Sequence, residues 1–137
     1  MGAIEELIRT EKDGAISFGD HTLNAKAKKE DYESGGDVYK VKTYNALTRL
    51  EKNGMFLYES VPGTSVADFR EDESGVTFTV YGSDDAQITL GMKDDTAYEV
   101  FVRDESVGVM KTGLGGKLSV SVELSADDGT VVKIVEK

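Results

Sequence analysis

The clearest pattern in the chain is Leu118-Ser119-Val120-Ser121-Val122-Glu123-Leu124. Its apolar residues alternate with polar ones, so a β-strand here would turn four apolar side chains to one face and three polar ones to the other. The same period of two recurs at residues 76–80, 88–90 and 98–102. These alternating segments predict an all-β protein.

Turn residues between the alternating segments agree with this prediction. The chain has 15 glycines and one proline. Asp13-Gly14 and Asn53-Gly54 are pairs preferred in two-residue hairpins, in which both central residues need positive φ. Pro62-Gly63 fits the centre of a type II turn. About ten strands at this spacing indicate a sandwich or a barrel, and we favour a sandwich.

The two halves of the chain resemble each other. Tyr39 is separated from Gly54 by the same distance in sequence as Tyr98 is from Gly113. We interpret this spacing as an internal duplication, with a first β-sandwich lobe at residues 15–72 and a second at 75–137. Residues 1–14 are expected to pair onto the first half as a hairpin, although Ile4, Leu7 and Ile8 also fit a helix.

Composition limits the classes of function. The formal net charge is −10, which disfavours nucleic acid and anionic membrane surfaces as partners. The chain has no cysteine, so disulfides and thiolate chemistry are excluded. No segment has the length of a membrane span, and the first residues lack a signal-peptide pattern, so we expect a cytoplasmic protein.

One segment breaks the alternation and predicts an interface. Met55-Phe56-Leu57-Tyr58 is apolar on both faces, which indicates a strand covered on both sides, by the other lobe or by another subunit. Phe101 is an apolar residue on the opposite face of its strand from Tyr98 and Val100, so it too would need cover by the other lobe or by another subunit. We therefore predict interface residues Met55, Phe56, Leu57, Tyr58 and Phe101, with a homo-oligomer or a protein partner.

A lysine cluster is the second candidate site. If residues 25–33 pair with 38–44, four lysines would share a strand face beside Tyr44. Such a patch could bind an anionic ligand or an acidic partner surface. The alternative is a solvated face that discourages edge pairing. The predicted anion-binding residues are Lys26, Lys28, Lys40, Lys42 and Tyr44.

The chemistry of catalysis and metal binding finds little support. His21 is the only histidine, and Asp20 beside it would point to the opposite face of a strand, so we expect a solvent-facing loop histidine. The aspartate pairs at 84–85, 94–95 and 127–128 do not have the spacing of an EF-hand. The segment 113–117 lacks the residues of a phosphate loop. We predict no catalytic residue, no metal site and no cofactor.

Residues 1–23 and 54–66 resemble a group of small bacterial proteins of similar length, some of which carry the label endosialidase. That label would imply a glycoside hydrolase, yet the four arginines of this chain form no recognisable sialidase motif. The second half is similar in pattern to accessory β-sandwich modules of secreted carbohydrate enzymes, which supports the fold more than sugar binding.

These observations favour a non-catalytic β-sandwich module for self-association or protein binding. A glycan- or anion-binding module that uses the lysine cluster is the alternative. A glycoside hydrolase that uses carboxylates is the third hypothesis, because 26 acidic residues are available, but the sequence does not locate a catalytic pair.

Overall fold

The computed structural model describes residues 2–137, and it confirms the all-β class. Two antiparallel sheets pack as a sandwich, with strand orders β1-β2-β7-β8-β13-β10-β11 and β12-β9-β6-β5-β4-β3. No helix occurs between residues 2 and 137. The strands are β1 (Ile8–Thr10), β2 (Ile16–Phe18), β3 (Ala27–Ser34), β4 (Asp37–Tyr44), β5 (Leu47–Lys52), β6 (Met55–Val61), β7 (Ser65–Asp72), β8 (Gly75–Tyr81), β9 (Ala86–Gly91), β10 (Ala97–Val102), β11 (Glu105–Lys111), β12 (Lys117–Val122) and β13 (Thr130–Glu136).

One end of the sandwich is closed by contact between the edge strands β1 and β3. The Thr10 hydroxyl donates a hydrogen bond to Ser34 Oγ at 2.7 Å, and Thr10 Oγ1 lies 2.8 Å from Tyr32 Oη. These bonds place the first strand of the seven-stranded sheet directly against the last strand of the six-stranded sheet. Starting from this end, each strand of one sheet can therefore be matched with the strand that faces it in the other sheet.

Cross-sheet contacts fix that matching. Lys52 of β5 donates to Glu71 of β7 at 3.1 Å, and Lys93 after β9 donates to Glu136 of β13 at 2.6 Å. At the far end, Arg103 after β10 donates to the carbonyl of Glu123 after β12 at 3.0 Å. Because the sheets have seven and six strands, this matching leaves β11 without a facing strand.

The alternation read from the sequence determines which side chains form the core. Leu118, Val120 and Val122 of β12 are buried, whereas Ser119 and Ser121 are exposed. Four aromatic rings meet at the centre with centroids 5.2 to 6.3 Å apart: Phe18, Tyr58, Phe69 and Phe78. Phe69 and Phe78 are stacked and the other pairs meet edge to face, and both arrangements add to the free energy gained by burying the rings.

The turn predictions have mixed outcomes. The N-terminal hairpin is confirmed, since Ile8 pairs with Phe18 and Thr10 with Ile16. Asn53 and Gly54 both have positive φ, as a type I′ turn requires. At residues 13–14 only Gly14 does. The type II turn at Pro62-Gly63 is wrong, because Gly63 does not have the positive φ that this turn needs.

The two similar halves of the sequence occupy different places in the fold. Tyr39 lies in β4 of the six-stranded sheet, whereas Tyr98 lies in β10 of the seven-stranded sheet. Strands of the two halves pair directly, β6 with β9 and β7 with β8, and their side chains share one core. The duplication and the two lobes therefore stay predictions.

A β-bulge explains the apolar segment at the start of β6. Leu50 pairs with Tyr58 and Glu51 with Phe56, so Leu57 is the extra residue on the bulged strand. The bulge turns two consecutive side chains inward, and Leu57 and Tyr58 are 7% and 0% exposed. Of the two kinds of cover left open by the sequence, the facing sheet of the same chain covers Leu57 and Tyr58.

Buried hydroxyls hold the crossing from β6 to β7. Thr48 Oγ1 accepts a hydrogen bond from the Thr64 N–H at 3.1 Å and donates to the Thr64 carbonyl at 2.7 Å. Since its one proton goes to Thr64, Thr43 must donate the bond of 2.8 Å between the two threonine hydroxyls. Thr43 Oγ1 accepts in turn from the Asp20 N–H at 2.9 Å.

We expect Thr48→Val to lower the free energy of unfolding by about 2 to 4 kcal/mol, because it leaves buried donors and acceptors of Thr64 and Thr43 without partners. Urea denaturation measures this change. Thr77→Val, on the solvent-facing side of β8, is the matched control and should be close to neutral. Equal stability of the two variants would contradict the role given to Thr48.

Candidate functional site

The outer face of the six-stranded sheet carries a cluster of positively charged side chains in a chain whose formal net charge is −10. The pairing of β3 with β4 places Lys28 beside Lys42. Lys40 lies two residues before Lys42 on β4, and Lys26 directly precedes β3 and lies over the Tyr44 ring. These are the four lysines predicted from the sequence. The fold adds two cations that sequence reasoning missed, Arg49 on β5 and Lys117 on β12. We call this surface the basic face; its cations are Lys26, Lys28, Lys40, Lys42, Arg49 and Lys117.

The register places three of these cations directly beside one another. Lys28 pairs with Lys42, and Lys42 pairs with Arg49 on its other side. Like charges in opposite positions destabilise a sheet. Arg49 is paired with Glu51 and Glu59, and Lys28 with Glu30. Lys42, in the middle, makes no salt bridge with any of residues 2–137.

Phe56 lies at the centre of the basic face. The Arg49 guanidinium carbon and Lys117 Nζ each lie 5.1 Å from the centroid of its ring. An aromatic face attracts cations, so the ring holds both groups over the sheet. The side chains of Arg49 and Lys117 therefore cover part of Phe56, which is half-buried. The Phe56 ring gives the basic face an apolar centre.

Tyr44 provides a second aromatic contact. Lys26 Nζ lies 5.8 Å from the centroid of its ring, at the margin of the basic face. Glu30 lies beside this region and pairs with Lys28 at 3.2 Å and Lys40 at 3.6 Å. The hydrogen bond from Lys28, with the charge of Lys40, lowers the pKa of Glu30. Glu30 therefore remains ionised and neutralises part of the charge of the basic face.

The other predicted interface residues are dispersed. Met55 is 72% exposed at the start of β6, beside the turn at Asn53-Gly54. Phe101 is half-buried on the outer face of the other sheet, where it pairs with Lys133. Leu57 and Tyr58 are in the core. The five residues predicted as one interface therefore do not form one surface.

His21 is not the solvent-facing residue expected from the sequence. It is 4% exposed, and its Nδ1 lies 2.7 Å from the hydroxyl of Ser65, which is fully buried. Asp20 instead accepts hydrogen bonds from the N–H and hydroxyl of Thr22. The contact between His21 and Ser65 satisfies polar groups of two largely buried side chains.

A cleft of about 170 Å³ between the sheets is an alternative site. Leu57, Phe69 and Tyr98 form its apolar interior, and residues 71–73 give it an acidic rim. Hydrogen bonds from Ser74 lower the pKa of Asp72, which is opposite to the raised pKa that a glycosidase acid needs. Within residues 2–137, no three His, Asp or Glu side chains are grouped to hold a metal ion.

Comparisons with protein-family models, with curated protein sequences and with solved structures found no match to this chain. The resemblance to proteins labelled endosialidase therefore stays a prediction. Across residues 2–137 the structure contains no helix with the length and apolar character needed to cross a membrane.

We expect Lys42→Thr to raise the free energy of unfolding by about 0.2 to 1 kcal/mol at low ionic strength, because it removes the central cation of a row of like charges. Chemical denaturation at low and high salt measures the effect, which should shrink as salt screens the row. A loss of stability at low salt would show that Lys42 is not repelled by its neighbours.

Protonation of His21 should destabilise the fold in mild acid. Burial lowers the pKa of His21 below the value of about 6.5 expected in the unfolded chain. The unfolded chain then binds the proton first, so stability is lost as the pH falls below about 6.5. Between about pH 7 and pH 5, the wild type should lose more stability than His21→Gln. Parallel pH profiles of the two proteins would refute this assignment.

Proposed function

We propose that this protein is a non-catalytic binding module that recognises an acidic surface or segment of a partner protein through the basic face. The observation that carries the proposal is the gathering of six cations on one sheet face of a chain with a net charge of −10. Charge complementarity of this kind speeds association and selects the partner.

The dimensions of the basic face favour an extended partner over a small anion. Lys28 on β3 and Lys117 on β12 are separated by five strand spacings, which is roughly 24 Å at the usual separation of neighbouring strands. A single small anion would contact only part of a surface of this width. Phe56 between Arg49 and Lys117 offers an apolar contact at the centre, as protein interfaces usually do.

Repulsion among the cations of the basic face destabilises the sheet, and this also supports a binding role for these residues. The row Lys28–Lys42–Arg49 places like charges in opposite positions, although uncharged residues there would repel less. An acidic partner would supply the counter-charge that Lys42 lacks among residues 2–137. Self-association through the segment 55–58 loses support because Leu57 and Tyr58 are buried; a homo-oligomer and a cytoplasmic location remain predictions from the sequence.

An anion- or glycan-binding module is the second candidate. One observation favours it: Lys26 lies over the Tyr44 ring while Lys28 and Lys42 are adjacent, which gives a compact corner with three cations and an aromatic ring. A sulfated or carboxylated sugar would fit this corner of the basic face better than it fits the whole. No contact described above supports the third hypothesis, a hydrolase.

The test is an NMR titration of labelled protein with a synthetic peptide in which glutamate and valine alternate around a central tyrosine. We expect shifts at the amides of Lys40, Lys42, Arg49 and Phe56, because the peptide should lie over them. Lys40→Glu with Lys42→Glu should weaken binding at least tenfold, as two attractive charges become repulsive. Lys133→Glu, a single reversal on the opposite sheet, is the control.

A heparin-derived oligosaccharide in a parallel titration separates the two candidates. Shifts confined to Lys26, Lys28, Lys42 and Tyr44, with no response to the peptide, would favour the anion-binding module. Equal binding by the Lys40/Lys42 and Lys133 variants would refute the basic face as the site.

A further inference from the structure

The open end of the sandwich has an unfilled strand position. β11 is the seventh strand of its sheet, and the facing sheet ends at β12, its sixth. Gly108 and Met110 of β11 pair with the buried Val100 and Tyr98 and so lie on its inward side. A register shift leaves Val107 as an extra residue, which is 50% exposed and lines the cleft on the same side. A cleft of about 290 Å³ lies here, with Val102, Val107 and Val122 among its lining residues. We call the space between the free edge of β12 and the inward side of β11 the strand slot.

The edge of β12 has free hydrogen-bonding groups along the strand slot. The Met92 N–H donates to the Gly116 carbonyl at 2.7 Å, which marks this pair as hydrogen-bonded. Because such pairs alternate in an antiparallel ladder, the main-chain groups of Leu118, Val120 and Val122 point to β9. Those of Lys117, Ser119 and Ser121 then point to the free edge.

β12 also lacks the features that protect the other edges. β1 is only three residues long, β3 is highly charged and interrupted by an irregularity in register, and β11 has a register shift against β10. β12 pairs with β9 over six residues without a register shift, so its free edge is regular. Regular free edges accept an additional strand, and proteins that avoid this usually shorten, bend or charge them.

We propose that the strand slot binds an extended segment of a partner protein, which adds to the six-stranded sheet as an antiparallel seventh strand. Main-chain bonds to Ser119 and Ser121 would supply affinity, and alternate side chains would face β11 and supply specificity. Gly108 leaves open space, since a Cβ there would meet nothing within 4 Å, so the side chain facing it can be large.

Charge determines the direction and chemistry of the segment. Lys117 lies at one end of the free edge, and Glu123 lies just past the other, where Glu105 also lines the cleft. An antiparallel segment fits best with an acidic residue opposite Lys117, a basic residue opposite Glu123, and apolar residues at the inward positions between them.

A second copy of the chain does not fit the strand slot as a folded protein. Pairing of two β12 strands across a twofold axis would place the partner's β12 under β11. Each β12 is already faced by the β10 of its own chain, as the contact from Arg103 to Glu123 shows. The second copy's β10 would then have to occupy the space of β11. The occupant is therefore a segment with no facing sheet of its own.

The experiment uses the whole protein and a capped peptide with the sequence of residues 117–123, which pairs antiparallel with its lysine opposite Glu123 and its glutamate opposite Lys117. Fluorescence anisotropy measures binding, and amide hydrogen exchange locates it. We expect slower exchange at Ser119 and Ser121 and no change at Val120, whose N–H already points to β9. A peptide in which the lysine and the glutamate trade places should bind at least tenfold more weakly. N-methylation of the peptide amides that face β12 should weaken binding by at least the same factor.

Val107→Lys and Val109→Lys are the matched protein variants, because both residues are exposed on β11 and lie on opposite faces of it. Val107→Lys should weaken peptide binding at least tenfold, and Val109→Lys should leave it unchanged. The proposal would be overturned if the peptide did not bind at about 1 mM, a concentration at which specific recognition is already weak. Binding without slower hydrogen exchange at Ser119 and Ser121 would also overturn it. So would slow exchange of these two amides in the absence of peptide, in a protein that sediments as a dimer.

Discussion

The fold depends on satisfying the main-chain polar groups of Thr64 where the chain passes through the interior between the two sheets. A buried N–H or carbonyl without a partner costs about as much free energy as several favourable contacts supply. Thr48 meets both needs with one hydroxyl, since it accepts from the Thr64 N–H and donates to the Thr64 carbonyl. Tyr58 and Ser60 also contact the Thr64 hydroxyl, each at 2.7 Å. The connection from β6 to β7, one of several that link the two sheets, is thereby fixed beside the aromatic cluster.

A second constraint follows from closing the sandwich at one end only. The contact of β1 with β3 fixes how the strands of the two sheets face each other, and sheets of seven and six strands cannot then end together. The mismatch is concentrated at β11, whose residues are nearly all exposed, and at the free edge of β12. The same arrangement that completes the core at the closed end thus leaves an incomplete layer at the open end. Incomplete layers are where β-sandwiches can accept further strands.

The charges of the protein are distributed in a way that local stability does not require. An acidic chain avoids self-association through its overall repulsion, yet here cations occupy neighbouring positions on β3, β4 and β5, and Lys117 of β12 lies on the same face. Phe56 organises two of them by holding Arg49 and Lys117 over its ring. The basic face adjoins the strand slot through Lys117, so an added strand would extend the sheet that carries the basic face. Both proposals therefore concern contact with other chains, on surfaces that adjoin each other.

The sequence by itself determined the all-β class and most strands, because alternation and turn residues are local properties of the chain. It favoured the N-terminal hairpin over a helix, and it offered the pairing of residues 25–33 with 38–44 only as an assumption. It also pointed to Phe56, as part of the apolar segment 55–58. Only the tertiary structure revealed that a bulge buries Leu57 and Tyr58 together, since a bulge depends on the partner strand. Arg49 could have been found by continuing the β4–β5 hairpin register, whereas Lys117 joins the basic face only through the pairing of β12 with β9. The burial of His21 and the unpaired position beside β12 depend on how the two sheets face each other, which no local pattern encodes.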